Sequence, residues 1–243
     1  MRIPRIYLPL DLKEQRSFNL TDHAFQHAIK VLRMKENYQL NVFDGKGHEF
    51  LASLTQIEKK SASIEILHQI ESAKESNLSI HLGLVISKGE RMDFAIQKSV
   101  ELGVTEITPL FSERCVVNLD EKRLLKRLTH WQGIIISACE QCGRSFLPKL
   151  NSAQQLNTWS DSVSNMALIF DPQASKKLND LTPEDENITL VIGPEGGLSP
   201  DEIDFLNNKK YFEAIQFGPR ILRTETAAIS AITAMQILWG DLA

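Results

Sequence analysis

The chain has 243 residues, of which 42% are hydrophobic and 24% charged, and a formal net charge of −4, which suits a globular protein of one large domain or two modest ones. No run approaches the roughly 18 uninterrupted apolar residues of a membrane span, and Cys115, Cys139 and Cys142 are an odd set that argues against a disulfide framework. Residues 1–72 carry ten Lys/Arg against nine Asp/Glu, residues 73–150 eleven against nine, and residues 151–243 six against thirteen, so the last third is acidic and basic residues concentrate earlier, which permits a basic face for a polyanion.

Residues 1–72 read mostly as β. A short helix is predicted over 22–32, then strands over 38–43, 50–57 and 62–70, with Asp44-Gly45-Lys46-Gly47 turning between the first two. Short strands with one helix predict a small barrel. The polar stretch 71–77 reads as a linker, placing the domain boundary between residues 72 and 73. From Leu78 strands and helices alternate. Strands are predicted over 80–86, 104–110, 166–170, 188–192 and 211–217, and helices over 91–102, 120–142 and 224–239, with a short helix between the last two strands. This alternation predicts an α/β domain with a mainly parallel sheet. Cys139-x-x-Cys142 falls within the helical pattern of 120–142, and no second Cys pair completes a zinc set. The six histidines read as scattered along the chain, so a metal enzyme is not expected. The opening residues lack a long apolar stretch, which makes the cytoplasm the expected location.

Two loops concentrate the chemistry. The apolar run 188–192 stops at Gly193-Pro194-Glu195-Gly196-Gly197-Leu198, and a helix then begins with Ser199 as N-cap, Pro200 at N1 and Glu202 at N3. Glycines there let backbone approach a ligand closely, and such strand-to-loop junctions are where open α/β sheets bind ligands. The loop matches neither nucleotide fingerprint, and an ordinary strand–turn–helix connection would show the same pattern. The second loop, Phe217-Gly218-Pro219-Arg220-Ile221-Leu222-Arg223-Thr224-Glu225, again follows a strand-like run and precedes a helix rich in Ala, Ser and Thr that Thr224 can cap. Its ionisable side chains exceed what a turn requires, although a local Arg–Glu pair would be the plainer reading.

Together with Lys88-Gly89-Glu90-Arg91-Met92-Asp93, residues 97–104, the segment 138–144, the opening Met1-Arg2-Ile3-Pro4-Arg5-Ile6-Tyr7 and the stretch 27–35, these loops closely resemble the bacterial 16S rRNA uridine N3-methyltransferases (RsmE) of the SPOUT superfamily. The resemblance covers essentially the whole chain; Cys142 and Phe217 stand where Ser and Leu are expected. It implies a PUA-like N-terminal barrel over 1–72 and a knotted SPOUT methyltransferase domain over 73–243. It further implies a trefoil knot near the two loops and an obligate homodimer. The implied reaction moves a methyl group from S-adenosyl-L-methionine (SAM) to N3 of one uridine in 16S rRNA of the small ribosomal subunit. On that reading Gly193, Pro194, Glu195, Gly196, Gly197, Leu198, Phe217, Gly218, Ile221, Leu222, Arg223, Thr224 and Ala227 cradle the cofactor, with Phe170 as a further wall. Arg223 and then Arg220 are candidates to stabilise the uracil anion, and Glu225 and Glu195 to accept a proton or face the positive charge of SAM. Arg2, Arg5, Arg33, Lys88, Arg91 and Arg144 are the expected RNA contacts. A related enzyme acting on a ribose 2′-OH and a non-enzymatic RNA-binding module are the competing readings.

Overall fold

A computed structural model describes residues 3–13, 16–20, 22–72, 75–117 and 119–243. Arg2 lies outside them. The chain divides into two compact units, Met1–Glu75 with Ile136–Leu147, and Ser76–Ile135 with Pro148–Ala243. The first unit therefore takes in a segment from the middle of the chain that a boundary at residue 72 leaves with the second. No described helix is long and apolar enough to cross a membrane.

The first unit holds β1 (Arg5–Tyr7), β2 (Ser17–Leu20), β3 (Gln39–Phe43), β4 (Glu49–Ile57) and β5 (Ala62–Ile70) in one curled sheet ordered β1-β3-β4-β5-β2. β1 runs parallel to β3 and the other pairs are antiparallel. β1 and β2 stand at the two ends of this order, and among the described residues no pairing joins them. Alternation fixes which face is internal: Leu40 and Val42 of β3, and Ala52 and Leu54 of β4, are fully buried. The predicted helix over 22–32 begins as α1 (Asp22–Phe25) and continues as a π-helical turn, Gln26–Val31. It ends where the N–H groups of Leu32 and Met34 reach back to His27 O (2.9 Å) and Ala28 O (3.1 Å) around Arg33 in the left-handed region (φ 53). His23 and His27 do stand one turn apart with ring centroids at 6.2 Å, but no group of three metal-ligating side chains forms among the described residues.

Residues 136–147 are fastened to this sheet by buried polar bonds. Arg5 donates to both Glu49 oxygens at 2.8 Å and to Cys139 O at 2.6 Å. Ser145 Oγ donates to Glu49 at 2.8 Å, and Glu140 accepts the Tyr7 N–H at 3.0 Å. Burial pushes the Cys139 thiol up to about 12, so Cys139 is an inert core residue.

The second unit carries β6 (Ser79–Val85), α2 (Glu90–Glu101), β7 (Glu106–Phe111), α3 (Glu121–Cys142) as far as Ile135, β8 (Lys149–Leu150), β9 (Gln154–Gln155), α4 (Leu156–Ser160), β10 (Met166–Phe170), β11 (Asn187–Ile192), α5 (Pro200–Asn207), β12 (Phe212–Ile215) and α6 (Thr224–Trp239). The strand order is β12-β10-β11-β6-β7-β8, with β9 also on β7, and every pairing is parallel. Burial on both faces explains the near-continuous apolar run of β6, whose Ile80, Leu82, Leu84 and Val85 are fully buried. α6 packs on α2, its Ala228, Ala231 and Met235 are buried, and its fully buried Gln236 donates to Leu102 O (3.1 Å) and accepts from Ser76 Oγ (2.8 Å).

Candidate active site

β10 lies between β11 and β12. Chain order thus steps first to one side of β10 and then to the other. Parallel sheets leave a crevice at such a reversal, beyond the carboxyl ends of their strands. Here the loops after all three strands close around a cavity of about 220 Å³.

The first wall is the Gly193–Leu198 loop. It folds back so tightly that a Cβ on Gly193 would meet Leu198 N at 3.0 Å. The Gly197 N–H donates to Pro194 O at 2.9 Å, and Gly197 itself is left-handed (φ 68), a conformation that favours glycine. The predicted capping box is present: Ser199 Oγ accepts from Glu202 N (3.2 Å) and Glu202 Oε2 from Ser199 N (2.9 Å). Glu202 also accepts the Glu113 N–H at 2.8 Å, so this buried carboxylate ties α5 to the turn after β7.

The second wall is the loop 216–223, with Gly218 also left-handed (φ 76). The strand predicted over 211–217 ends at Ile215, because the Gln216 N–H turns to Lys176 O at 2.8 Å. Thr224 joins the walls, its Oγ1 donating to Gly193 O at 3.2 Å. Phe170 and Phe217 stack with centroids 4.7 Å apart and planes within 8°. Phe170, Gly193, Pro194, Gly197, Leu198, Phe217, Gly218, Ile221, Leu222, Thr224, Ala227 and Arg220 all line the cavity. The surface is thus apolar side chain interleaved with loop backbone, which suits a flat heteroaromatic group read by main-chain donors and acceptors.

Four of the named residues do not line it: Glu195, Gly196, Arg223 and Glu225. The Glu195 carboxylate turns to the other side of the loop, accepting the Lys88 N–H (3.3 Å) and pairing with Arg91 (3.2 Å). Arg223 is exposed at the N-cap position of α6, and Glu225 occupies the first turn with Oε2 buried and without a hydrogen-bond partner. Among the described residues no ion pair joins Arg223 to Glu225, so the plain reading of that loop as a local pair does not hold. Arg33, Lys88 and Arg91 are exposed, as RNA contacts must be. Arg5 and Arg144 are not: Arg5 is 9% exposed on Glu49, Arg144 is 8% exposed on Glu75 (2.6 Å), and the structure removes both from the RNA-contact set. Sequence reasoning missed Arg114, whose Nη1 donates to Gly196 O at 3.0 Å. The signal was the polar Ser112-Glu113-Arg114 directly after the carboxyl end of β7, the end of a parallel strand where ligand sites are built.

Comparison with known proteins gives the family. Residues 74–236 match the RNA methyltransferase domain family, and residues 20–67 its RNA methyltransferase PUA domain. The chain belongs to that methyltransferase family. It is 42% identical to the Ribosomal RNA small subunit methyltransferase E of Buchnera aphidicola (subsp. Schizaphis graminum), over 99% of this chain and 98% of that one. The counterpart from Rickettsia conorii is 30% identical over 98% and 97%. Among solved structures, the Neisseria gonorrhoeae Ribosomal RNA small subunit methyltransferase E bound to SAM superposes with TM-score 0.92 at 44% identity, over the full length of both chains. A Legionella pneumophila protein in complex with SAM gives TM-score 0.96 at 42% identity, again over both full chains. The methyltransferase family thus shares both units of this chain, the parallel sheet and the curled PUA sheet.

Proposed function

We propose that this chain methylates N3 of a uridine in 16S rRNA of the small ribosomal subunit, with SAM as donor. The carrying observation is the cavity between the Gly193–Leu198 and 216–223 loops, in a chain that matches SAM-bound relatives end to end. The cavity fits an adenosine. Phe170, Phe217, Leu198, Ile221 and Leu222 offer apolar faces, and Gly193, Gly197 and Gly218 put bare backbone on the lining. When bound there, SAM supplies an electrophilic methyl group on a cationic sulfur.

The chain's own residues have two tasks. One is to hold the acceptor nitrogen in line, which is mostly orientation. The other is to favour loss of the N3 proton, which moves negative charge onto uracil O2 and O4. Arg223, exposed beside the cavity and without an ion pair among the described residues, is the first candidate to face that charge; Arg220, on the cavity lining, is the second. Glu225, with its unpartnered buried oxygen, is the candidate to accept the proton. Arg33, Lys88 and Arg91 position RNA through phosphates, and a paired target must be flipped for N3 to reach the methyl group. The exposed Ile221, Ile237 and Leu238 suit a homodimer that covers the second loop and α6, and the family resemblance adds a trefoil knot there and a cytoplasmic location.

Calorimetry with SAM and methylation of small subunits and free rRNA, followed by nucleoside mapping, test the proposal. Arg223→Ala is expected to retain SAM binding while losing about a hundredfold in turnover. Methyl groups mapped to a ribose oxygen, or no SAM uptake by the parent chain, would count against it.

A further inference from the structure

The Gly193–Leu198 loop has an outer side, and that side is braced. Arg114, in the turn that follows β7, sends Nη1 to Gly196 O at 3.0 Å and to Leu198 O at 3.4 Å. Its stem lies against the loop as well, since a Cβ on Gly196 would touch Arg114 Cβ and Cδ at 3.7 Å. The turn carrying Arg114 is itself held. The Cys115 N–H donates to Ser112 O at 3.0 Å, Cys115 Sγ donates to Ile86 O at 3.3 Å, and Glu202 accepts the Glu113 N–H at 2.8 Å. A guanidinium on a fixed turn thus gathers two carbonyls of a loop with little regular hydrogen bonding of its own.

We infer that Arg114 is a positioning residue for cofactor binding: it fixes the loop in the shape that forms the first wall of the cavity, without touching the ligand. This rests on the reading of that cavity as the SAM site. The physical case is one of lost constraint on an exposed loop. Without Arg114 the Gly196 and Leu198 carbonyls lose a charged donor, and a loop containing Gly193, Gly196 and Gly197 regains conformations that do not form the wall. Ordering it again is then charged against SAM binding, so affinity falls while the bound state reacts as before.

The test compares the full-length parent with Arg114→Met, which keeps the stem and removes the donors, and with Arg114→Lys, which keeps one cation. The readouts are the Kd for SAM by calorimetry, KM for SAM, kcat, and the melting temperature without ligand. Arg114→Met is expected to raise Kd and KM for SAM about tenfold, the scale of a lost charged hydrogen bond, with kcat and the ligand-free melting temperature nearly unchanged. Arg114→Lys is expected to fall between. A Kd for Arg114→Met within twofold of the parent overturns the inference, as does a fall in kcat with KM unmoved. Should Arg114→Met not fold, a parent-like Kd in Arg114→Lys overturns it in the same way. A parent chain that binds no SAM refutes the cofactor assignment of the cavity, a different failure from a variant that binds as well as the parent.

Discussion

At the scale of single residues, the cavity depends on glycines, and the reasons differ. A Cβ on Gly193 would stand 3.0 Å from a backbone nitrogen, whereas one on Gly218 would meet nothing within 4 Å. Gly193→Ala must displace the loop. Gly218→Ala pays only for a left-handed residue, about 1 kcal/mol. Gly193→Ala is therefore expected to weaken SAM binding by the larger factor, and calorimetry on both variants gives the order. Equal affinities would mean that the loop yields without cost. The same scale shows where sequence reading failed. Arg5 and Arg144 look like surface cations in a one-dimensional string, but their carboxylate partners, Glu49 and Glu75, are 44 and 69 residues away. Local pattern carries no trace of so distant a pairing.

Among the elements, α5 offers the sharpest comparison, because its N-terminus was legible from Ser199-Pro200-Asp201-Glu202 alone. Ser199→Ala is expected to cost about 1 kcal/mol as a lost cap. Glu202→Ala should cost about 2 kcal/mol, since it also strands the Glu113 N–H. Urea denaturation separates the two, and equal losses would refute the second role. β1 and β4 meet through Arg5 and Glu49. Burial pushes the Glu49 carboxyl up, but hydrogen bonds from Arg5, Ser145 and Asn41 outweigh it and hold the pKa below its ordinary 4.5. A folded pKa below the unfolded one contributes stability above about pH 4.5 that is lost as pH falls through the folded value. Glu49→Gln should thus be less stable at pH 7 and lose less on acidification, as urea titrations across pH would show. Elements with strong periodicity were legible: the strands over 62–70 and 166–170 and the helix over 224–239 match their observed bounds. The two-residue β8 and β9 were not, being too short for any alternation to register. Nor was the π-helical turn, because a period of 3.6 fitted residues 22–32 just as well.

At the scale of the whole molecule, the alternation of strands and helices forecast the parallel sheet, but not that residues 136–147 join the first unit. No composition shift marks that segment; it continues a helix. Cutting the chain at residue 72 would therefore strip Cys139, Glu140 and Ser145 of Arg5, Tyr7 and Glu49. RNA capture is better tested by Arg33→Ala in the intact chain. The expected result is unchanged SAM affinity, weaker RNA binding and a salt dependence shallower by about one unit of slope; an unaltered slope would remove Arg33 from the interface. The wholly parallel sheet also dictates an order of assembly. β6 pairs with β11 from Ser79 against Asn187, about a hundred residues apart. A growing chain must therefore carry β6 with one edge unsatisfied until β11 emerges, a period of exposure in which a chaperone has most to protect. The pocket walls come later still, so a nascent chain that stalls between β7 and β11 has neither the middle of its sheet nor the two cavity loops.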